Sequence, residues 1–255
     1  MQTLHLIERR ALTPRQHWLR FEKPEGFTFK AGQFARLGLP DPEKPGEFIW
    51  RGYSIASAPN EKTLDFLITC VLGGQLSPRL TALEPGQEAL LDGEAAGALT
   101  PDRIPGGRTL WLLATGSGLS PFVSILKDPA SCSAWDDIVL VLSARTREDA
   151  APARMLAAGE LGALPTGCKP AVFLALTREP KINWEDGELS GRIPALIECG
   201  ALEAAASRKL VPEDARVLLC GNPGFIDETR KALKARGIVS PRFGKPGQLV
   251  VENFW

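Results

Sequence analysis

A four-residue segment of the chain combines side chains that could hold a flat, phosphate-bearing cofactor. Residues 51–54 read RGYS, and Tyr53 is the only tyrosine of the chain. In a strand, Arg51 and Tyr53 lie on one face, because side chains alternate along a strand. The Arg51 guanidinium offers a planar donor fork for a phosphate, the Tyr53 ring could lie against a planar cofactor, and Ser54 adds a small hydroxyl on the other face. Taken alone, the four residues also fit an ordinary strand.

A second segment combines glycines with the start of a predicted helix. Residues 73–80 read GGQLSPRL. Free N–H groups at a helix N-terminus bind anions, and Ser77 could add its hydroxyl. A capped helix after a turn explains the same residues equally well.

A third segment, LATGSGLSP at residues 113–121, follows a predicted parallel strand. Gly116 and Gly118 let the backbone approach a pyrophosphate, and Pro121 suits the first turn of a helix. Pro121 stands where the dinucleotide fingerprint has its last glycine, so the match is partial. The position between strand and helix nevertheless favours phosphate binding over a chance loop.

Two stretches with different sequence patterns must position these segments. Before about residue 100, short strands alternate with turns, as in Leu64–Val71, where Phe66 and Ile68 face one way and Asp65 and Thr69 the other. This pattern predicts half-buried strands of a small antiparallel barrel. From about residue 108, apolar runs alternate with helix-like stretches, which indicates a parallel sheet covered on both faces. The predicted strands are 110–114, 138–142, 172–176, 217–220 and 249–251, and the predicted helices are 121–127, 150–158, 193–199 and 226–235.

The composition excludes several classes of function. Lys plus Arg total 30 and Asp plus Glu total 30, whereas nucleic-acid binders normally carry a basic excess. No apolar run approaches the roughly 18 residues of a membrane span, and the arginine-rich N-terminal segment has no apolar signal core, so we expect a cytoplasmic protein without membrane contact. The five cysteines include no C-x-x-C pair and the only histidines are His5 and His17. We therefore expect reduced thiols and no metal, cluster or disulfide framework.

The motifs follow one another in the order of a known family. RGYS at 51–54, the glycine–serine turn at 74–77, TGSGLSP at 115–121, CGNP at 220–223 and VENFW at 251–255 resemble the motif set of the ferredoxin–NADP reductases, most closely the bacterial ferredoxin/flavodoxin–NADP reductases. The similarity covers essentially the whole chain, including EAAG at 94–97 and GRIPALIE at 191–198.

The resemblance implies a fold and an activity. Residues 1–101 would form a six-stranded antiparallel β-barrel that binds FAD. Residues 102–255 would form a Rossmann-like α/β domain with a parallel sheet that binds NADP(H), and its C-terminal tail would return to the flavin. The implied reaction is hydride transfer between NADPH and N5 of FAD, then single-electron transfer to or from ferredoxin or flavodoxin.

The resemblance also implies roles for individual residues. Arg51 holds the FAD pyrophosphate, Tyr53 lies against the isoalloxazine, and Ser54 sits near N5. Cys220 approaches the nicotinamide and Glu252 is the C-terminal carboxylate near the flavin, so Ser54, Cys220 and Glu252 are the expected catalytic positions. The remaining backbone contacts are Gly74, Leu76 and Ser77 for the FAD pyrophosphate, Thr115, Gly116, Gly118 and Pro121 for the NADPH pyrophosphate, and Gly221 beside the nicotinamide.

Arginines predict a preference for NADPH over NADH. The second predicted parallel strand is followed by SARTR at 143–147, with Arg145 in place of a carboxylate that would bind a ribose 2′-hydroxyl. Arg178 and Arg192 match the family's other contacts to the 2′-phosphate. Arg147 is interpreted as a solvated surface charge.

The terminal aromatic pair matches the family's cofactor-covering tail. Phe254 corresponds to the aromatic residue over the flavin face where nicotinamide must stack, and Trp255 to a residue on the FAD adenine. An aromatic contact contributes roughly 0.5–1.5 kcal/mol beyond area burial, which nicotinamide could displace. We therefore predict that deleting both residues changes nicotinamide binding and steady-state rates.

Two other functions remain open at this point. The chain could be the reductase component that supplies an oxygenase through a separate ferredoxin, or a flavin- or nucleotide-binding module without turnover. Yellow protein and NADPH-driven reduction of ferricyanide would separate an enzyme from a binding module. The resemblance suggests a monomer that meets ferredoxin or flavodoxin transiently.

Overall fold

An antiparallel sheet occupies the first part of the chain. The computed structural model describes residues 1–183 and 186–253. The sheet has the strand order β4-β3-β6-β1-β2-β5, and an isolated bridge between Ile55 and Phe66 joins its two end strands. This confirms the predicted six-stranded antiparallel barrel. The strands are β1 (Gln2–Ala11), β2 (Gln16–Glu22), β3 (Phe34–Pro40), β4 (Phe48–Ser54), β5 (Thr63–Thr69) and β6 (Glu88–Ala96).

A parallel sheet with helices on its faces follows, as predicted for an α/β unit. Its order is β10-β9-β8-β7-β11-β12, and every pairing is parallel. The strands are β7 (Thr109–Thr115), β8 (Asp137–Ala144), β9 (Ala171–Leu176), β10 (Glu188–Ser190), β11 (Ala215–Gly221) and β12 (Leu249–Asn253). Helix α1 (Ser77–Thr81) belongs to the barrel, between β5 and β6. The helices of the parallel unit are α2 (Ser120–Lys127), α3 (Pro129–Cys132), α4 (Ala151–Ala157), α5 (Ile193–Glu198), α6 (Ala201–Ala206) and α7 (Pro223–Ala235), with 3₁₀ turns at Pro101–Arg103 and Gly116–Leu119.

The strand order creates a crevice at the centre of the parallel sheet. From β7 the chain builds outward through β8 and β9, and it returns to the other side of β7 with β11 and β12. Ligands of open α/β sheets bind outside the carboxyl ends of the strands where the order reverses. The crevice here lies between the ends of β7 and β11, at Thr115 and Gly221.

The two sheets share a hydrophobic core. Trp18 and Leu67 of the barrel belong to the same buried cluster as Phe122 and Ile125 of α2. The opposite face of the parallel sheet forms a second cluster with α5, α6 and α7, and the barrel interior forms a third. The shared cluster therefore fixes the barrel against the helix that follows the glycine-rich turn. The division into domains at residues 101 and 102 stays a prediction.

One strand departs from the expected pattern. Asp65 of β5 was predicted to face solvent, but its side chain is fully buried. Its carboxylate accepts two 2.9 Å hydrogen bonds from the Arg20 guanidinium, and Lys127 Nζ of α2 lies 3.9 Å from Asp65 Oδ2 and 2.8 Å from Glu61 Oε1. The parallel unit covers the outer face of β5, so an acidic residue there is buried among cations.

The cysteine prediction is wrong for one pair. The structure contains a disulfide between Cys132 and Cys168, whose Cα atoms are 5.7 Å apart. The two residues are 36 positions apart in sequence, and packing of α3 against the segment before β9 brings them together. The other three cysteines are free.

The described residues contain neither a membrane-spanning helix nor a cluster of metal ligands. No helix in residues 1–183 or 186–253 combines the length and apolar character needed to cross a bilayer. Within the same residues, no three His, Cys, Asp or Glu side chains cluster in a way that could hold a metal ion.

Candidate functional site

The RGYS segment forms the end of β4, as the sequence predicts. The Arg51 guanidinium is exposed and donates a 2.7 Å hydrogen bond to the Trp50 carbonyl. Burial raises the pKa of Tyr53 to about 12, so the phenol stays neutral at physiological pH. Ser54 is 5% exposed, and its buried Oγ has no hydrogen-bond partner among the described residues. A buried hydroxyl without a partner costs free energy, and this one fits a flavin that would supply the missing partner.

The glycine turn before α1 is compact. Gly74 N–H donates to the Val71 carbonyl at 2.9 Å, and Val71 N–H donates to Ser77 Oγ at 3.1 Å. Ser77 thus accepts a backbone hydrogen bond while its own hydroxyl proton can still donate to a phosphate. Leu76 is buried at the start of the helix, so its packing holds the turn in place.

A carboxylate of β12 lies against the end of the barrel. Glu252 is in register with Cys220 of β11, and its Oε2 is 2.7 Å from the position that a Cβ would take on Gly97. Gly97 has φ +107°, so a side chain there would be strained and would also meet the carboxylate. The EAAG motif therefore lets Glu252 approach the barrel.

Burial changes the acidity of both residues in this register pair. Burial raises the pKa of Glu252 to about 7, and its Oε1 has no partner among the described residues. Burial and the neighbouring Glu252 carboxylate raise the pKa of the Cys220 thiol well above its usual range. Cys220 is therefore a neutral thiol, and Glu252 is a group that gains or loses a proton near neutral pH.

A cleft of about 490 Å³ opens at the crevice between β7 and β11. Thr115, Gly116, Gly118 and Gly221 all line it. A Cβ on Gly118 would lie 2.4 Å from the Cys220 carbonyl oxygen, and a Cβ on Gly221 would lie 2.2 Å from Thr115 Oγ1. The glycines are thus required by the close approach of the two strand ends. Pro121 is buried in the first turn of α2, as predicted.

The three arginines predicted for the 2′-phosphate line the same cleft. Arg145 follows β8, Arg178 follows β9, and Arg192 precedes α5. The Arg178 N–H donates to the Arg145 carbonyl at 2.8 Å, which fixes the two loops against each other. Arg192 Nη1 lies 2.9 Å from Glu228 Oε2 of α7, so its charge is paired within the chain.

The interpretation of Arg147 as a solvated charge is wrong. Its guanidinium bonds Glu179 at 2.9 Å and Glu188 at 2.5 Å, and Arg154 pairs with the same Glu188. Glu188 is fully buried, and its hydrogen bond from Arg147 lowers its pKa. Strand β10, which carries Glu188, has only three residues, too few for a periodic pattern, so no buried acidic partner for Arg147 could be predicted. Arg147 therefore holds the loops after β8 and β9 together and is not free to bind phosphate.

Sequence reasoning also missed two serines of α2. Ser120 Oγ donates a 2.8 Å hydrogen bond to the Ser54 carbonyl, and Ser124 Oγ donates a 2.7 Å bond to the Ser57 carbonyl. The spacing of four places both hydroxyls on one face of the helix, but no pattern in the sequence shows that this face meets β4. Phe254 and Trp255 lie outside the described residues.

Comparisons with known proteins agree with this arrangement. Residues 3–98 match the model of the oxidoreductase FAD-binding domain family. The chain is 38% identical to a flavodoxin/ferredoxin–NADP reductase of Escherichia coli, over 89% of this chain and 88% of the relative. It is 37% identical to ferredoxin–NADP reductase A of Sorangium cellulosum, over 93% and 86% of the two chains. A crystal structure of a ferredoxin–NADP⁺ reductase from Neisseria gonorrhoeae with bound FAD and NADP superposes with a TM-score of 0.87 and 33% identity, covering 99% of this chain and 98% of that one.

Proposed function

This chain belongs to the bacterial ferredoxin/flavodoxin–NADP reductase family, and from that premise we propose how its own residues carry out the reaction. It is an FAD-dependent oxidoreductase that uses NADP(H). We propose that in the cell it oxidises NADPH and reduces ferredoxin or flavodoxin, which it meets transiently. We also propose that it acts as a monomer in the cytoplasm, which size-exclusion chromatography and cell fractionation test.

The barrel residues would hold FAD. Arg51 is exposed at β4 and could turn its guanidinium from the Trp50 carbonyl to the cofactor pyrophosphate, which Gly74 and Ser77 would also contact. Tyr53 is neutral and mostly buried, so its ring can lie against the isoalloxazine without placing a charge there. When bound, FAD supplies the chemistry that accepts a hydride from NADPH and returns electrons one at a time.

Residues around the crevice would accept and release the proton that the oxidation of NADPH produces. Oxidation of NADPH by two single-electron acceptors releases one proton. Glu252 Oε1 is buried, unpartnered in the described part of the chain and close to neutral in its pKa, so it can take up that proton and pass it to water. Cys220 stays a thiol, so it places no negative charge where the nicotinamide must donate a hydride. Ser54 Oγ would orient the flavin by a hydrogen bond.

The arginine cluster would select NADPH. Arg145 and Arg178 lie on two loops that share a 2.8 Å backbone hydrogen bond, and Arg192, just before α5, lines the same cleft. A hydrogen bond to a charged group contributes roughly 1.5–3 kcal/mol, about tenfold or more in affinity. Two such contacts to the 2′-phosphate give a strong preference over NADH. For Phe254 and Trp255, the family resemblance supports the proposed cover over the cofactor.

The single observation that carries the proposal is that shared neighbours link the three expected catalytic residues. Glu252 is in register with Cys220, its carboxylate and the Phe34 ring both lie against Gly97, and Phe34 is in register with Ser54. Ser54, Cys220 and Glu252 come from three separate strands, and Gly221, which follows Cys220, lines the cleft. A binding module has no need for a hydroxyl, a thiol and a near-neutral carboxylate at the point where a flavin and a nicotinamide would meet.

The test is a reduction experiment with the purified protein. We expect a yellow protein whose flavin absorbance bleaches on anaerobic mixing with NADPH, much more slowly with NADH, and returns on addition of oxidised ferredoxin or flavodoxin. A protein that binds FAD but is not bleached by NADPH would contradict the proposal. Bleaching that neither acceptor reverses would contradict the proposed partners but leave the NADPH-oxidising step intact.

A further inference from the structure

The turn between β1 and β2 belongs to the barrel but lies in the nucleotide cleft. Thr13, Arg15 and Gln16 line the same cleft as the glycine-rich turn after β7. Gln16 is in register with Thr69 of β5, and Leu67 of the same strand has its amide nitrogen 3.5 Å from Ser120 Oγ. Thr69 is two residues, or about 7 Å, along the strand from Leu67, and Ser120 directly follows the 3₁₀ turn Gly116–Leu119. The β1–β2 turn therefore lies beside Gly116 and Gly118 and not at the distant end of the cleft.

The backbone of this turn is fixed on both sides. Thr13 Oγ1 accepts hydrogen bonds from the amides of Arg15 at 3.2 Å and Gln16 at 3.0 Å. The Arg15 carbonyl accepts from the Cys70 amide at 2.7 Å. Arg10 Nη2 donates to the Glu160 carbonyl of the other half at 2.9 Å. The Arg15 side chain is therefore attached to a backbone that hydrogen bonds hold in place.

Two polar side-chain groups of the turn have no partner in the part of the chain that the structure describes. Arg9, Arg10 and Arg20 of the same two strands each donate to a carboxylate or carbonyl. Arg15 is exposed, and no hydrogen bond or ion pair of its guanidinium occurs within the described residues. Gln16 is only 6% exposed, and its buried Oε1 also has no partner there. Among the described residues, the cleft thus has an unpaired cation on its barrel side, carried by a fixed backbone, and next to it an amide acceptor without a hydrogen-bond partner.

We propose that Arg15 binds the pyrophosphate of NADP(H), and that Gln16 accepts a hydrogen bond from the same nucleotide. This inference rests on the proposed function. Arg15 stands by the glycine turn after β7, whereas Arg145 and Arg178 follow β8 and β9, one and two strands farther from the crevice. Arg15 is therefore suited to the phosphates shared by NADPH and NADH, and not to the 2′-phosphate. The contact would come from the flavin-binding barrel, so nucleotide binding would bridge both halves of the chain.

The test compares Arg15→Gln and Arg15→Glu with wild type in the FAD-loaded protein. The matched control is Arg103→Gln, which removes the same charge from an exposed residue outside the cleft. We expect calorimetry to show NADP⁺ binding weakened about tenfold in Arg15→Gln, more in Arg15→Glu, and by less than twofold in the control. The kcat/KM values for NADPH and NADH in ferricyanide reduction should fall by the same factor.

Two outcomes would overturn the inference. Unchanged NADP⁺ affinity in both Arg15 variants would show that the side chain does not reach the nucleotide. A loss for NADPH without a loss for NADH would place Arg15 at the 2′-phosphate instead. Failure of the proposed function gives a different result, since the wild-type protein itself would then bind no NADP⁺.

Discussion

The hydroxyl of Ser120 donates a 2.8 Å hydrogen bond to the carbonyl oxygen of Ser54. Ser120 opens the helix that follows the glycine-rich turn, and Ser54 ends the strand that carries the proposed flavin contacts. Both residues are buried, at 1% and 5% exposure, so water does not compete for the bond. This contact joins the two halves of the chain beside the place where, in the proposed function, hydride would cross.

We predict that Ser120→Ala slows hydride transfer without weakening NADPH binding. Loss of one buried hydrogen bond costs about 0.5–1.5 kcal/mol of stability. The flavin and nicotinamide supports would no longer be held at a fixed distance, so the rate of flavin reduction by NADPH should fall about threefold to tenfold. Stopped-flow absorbance gives the rate, and titration with NADP⁺ gives the affinity.

Ser124→Ala is the matched control for this prediction. Ser124 makes an equivalent 2.7 Å bond to the Ser57 carbonyl, one helical turn farther along α2. It should show a similar stability loss with an almost unchanged rate of flavin reduction. Equal slowing in both variants would mean that general loosening, and not the Ser54 contact, limits the rate.

We predict that Arg178→Ala weakens NADPH much more than NADH. Arg178 lines the cleft, and removing a charged hydrogen bond to a phosphate costs roughly 1.5–3 kcal/mol. The kcat/KM for NADPH should therefore fall about tenfold or more. NADH, which lacks the 2′-phosphate, is the internal control, and an equal loss for both nucleotides would refute the assignment.

We predict that Glu228→Gln improves NADPH binding. Glu228 pairs with Arg192, and in the proposed NADPH site the 2′-phosphate would displace it. The side chains are 69% and 49% exposed, so the pair contributes only about 0.2–1 kcal/mol. The KM for NADPH should fall roughly twofold to fivefold, with little change for NADH.

Asp227→Asn is the control for Glu228→Gln. Asp227 is the adjacent residue of α7, exposed and outside the cleft, so its loss changes the net charge equally. If both variants tighten NADPH binding by the same factor, the effect comes from net charge and not from release of Arg192.

Local sequence patterns predicted much of the fold and of the site. Both sheets followed from the change in apolar periodicity, and the glycine turns at 74–77 and 115–121 could be identified because close backbone approach requires glycine. Gly118 shows the reason directly, since a Cβ there would lie 2.4 Å from the Cys220 carbonyl oxygen.

What the sequence failed to predict depends on contacts between distant elements. Asp65 alternates like a solvent-facing residue but is buried, because α2 brings Lys127 to it across 62 residues of chain. Arg147 looked like a surface charge because its partner Glu188 lies on the short strand β10, which has too few residues for a periodic signal. In each case a buried charge was paired by an element whose position the local sequence does not encode.

The stability of the protein should depend on pH through Glu252. Its folded-state pKa is about 7, above the value near 4.3 of an unfolded glutamate. Between these values the folded state binds more protons than the unfolded state, so the free energy of unfolding falls as pH rises from about 4.5 to about 7. Over that range the loss from this group is on the order of 2–3 kcal/mol.

We therefore predict that Glu252→Gln removes this part of the pH dependence. A glutamine stays neutral throughout, so the difference in free energy of unfolding between variant and wild type should be smallest near pH 4.5 and grow in favour of the variant up to about pH 7. Denaturant unfolding of the flavoprotein at several pH values measures it, with Glu213→Gln as the exposed control. If the free energy of unfolding varied with pH in the same way for wild type and Glu252→Gln, the carboxylate would titrate in the folded protein as it does in water. Glu252 could then not take up the proton of NADPH oxidation at neutral pH, and that proposed role would be wrong.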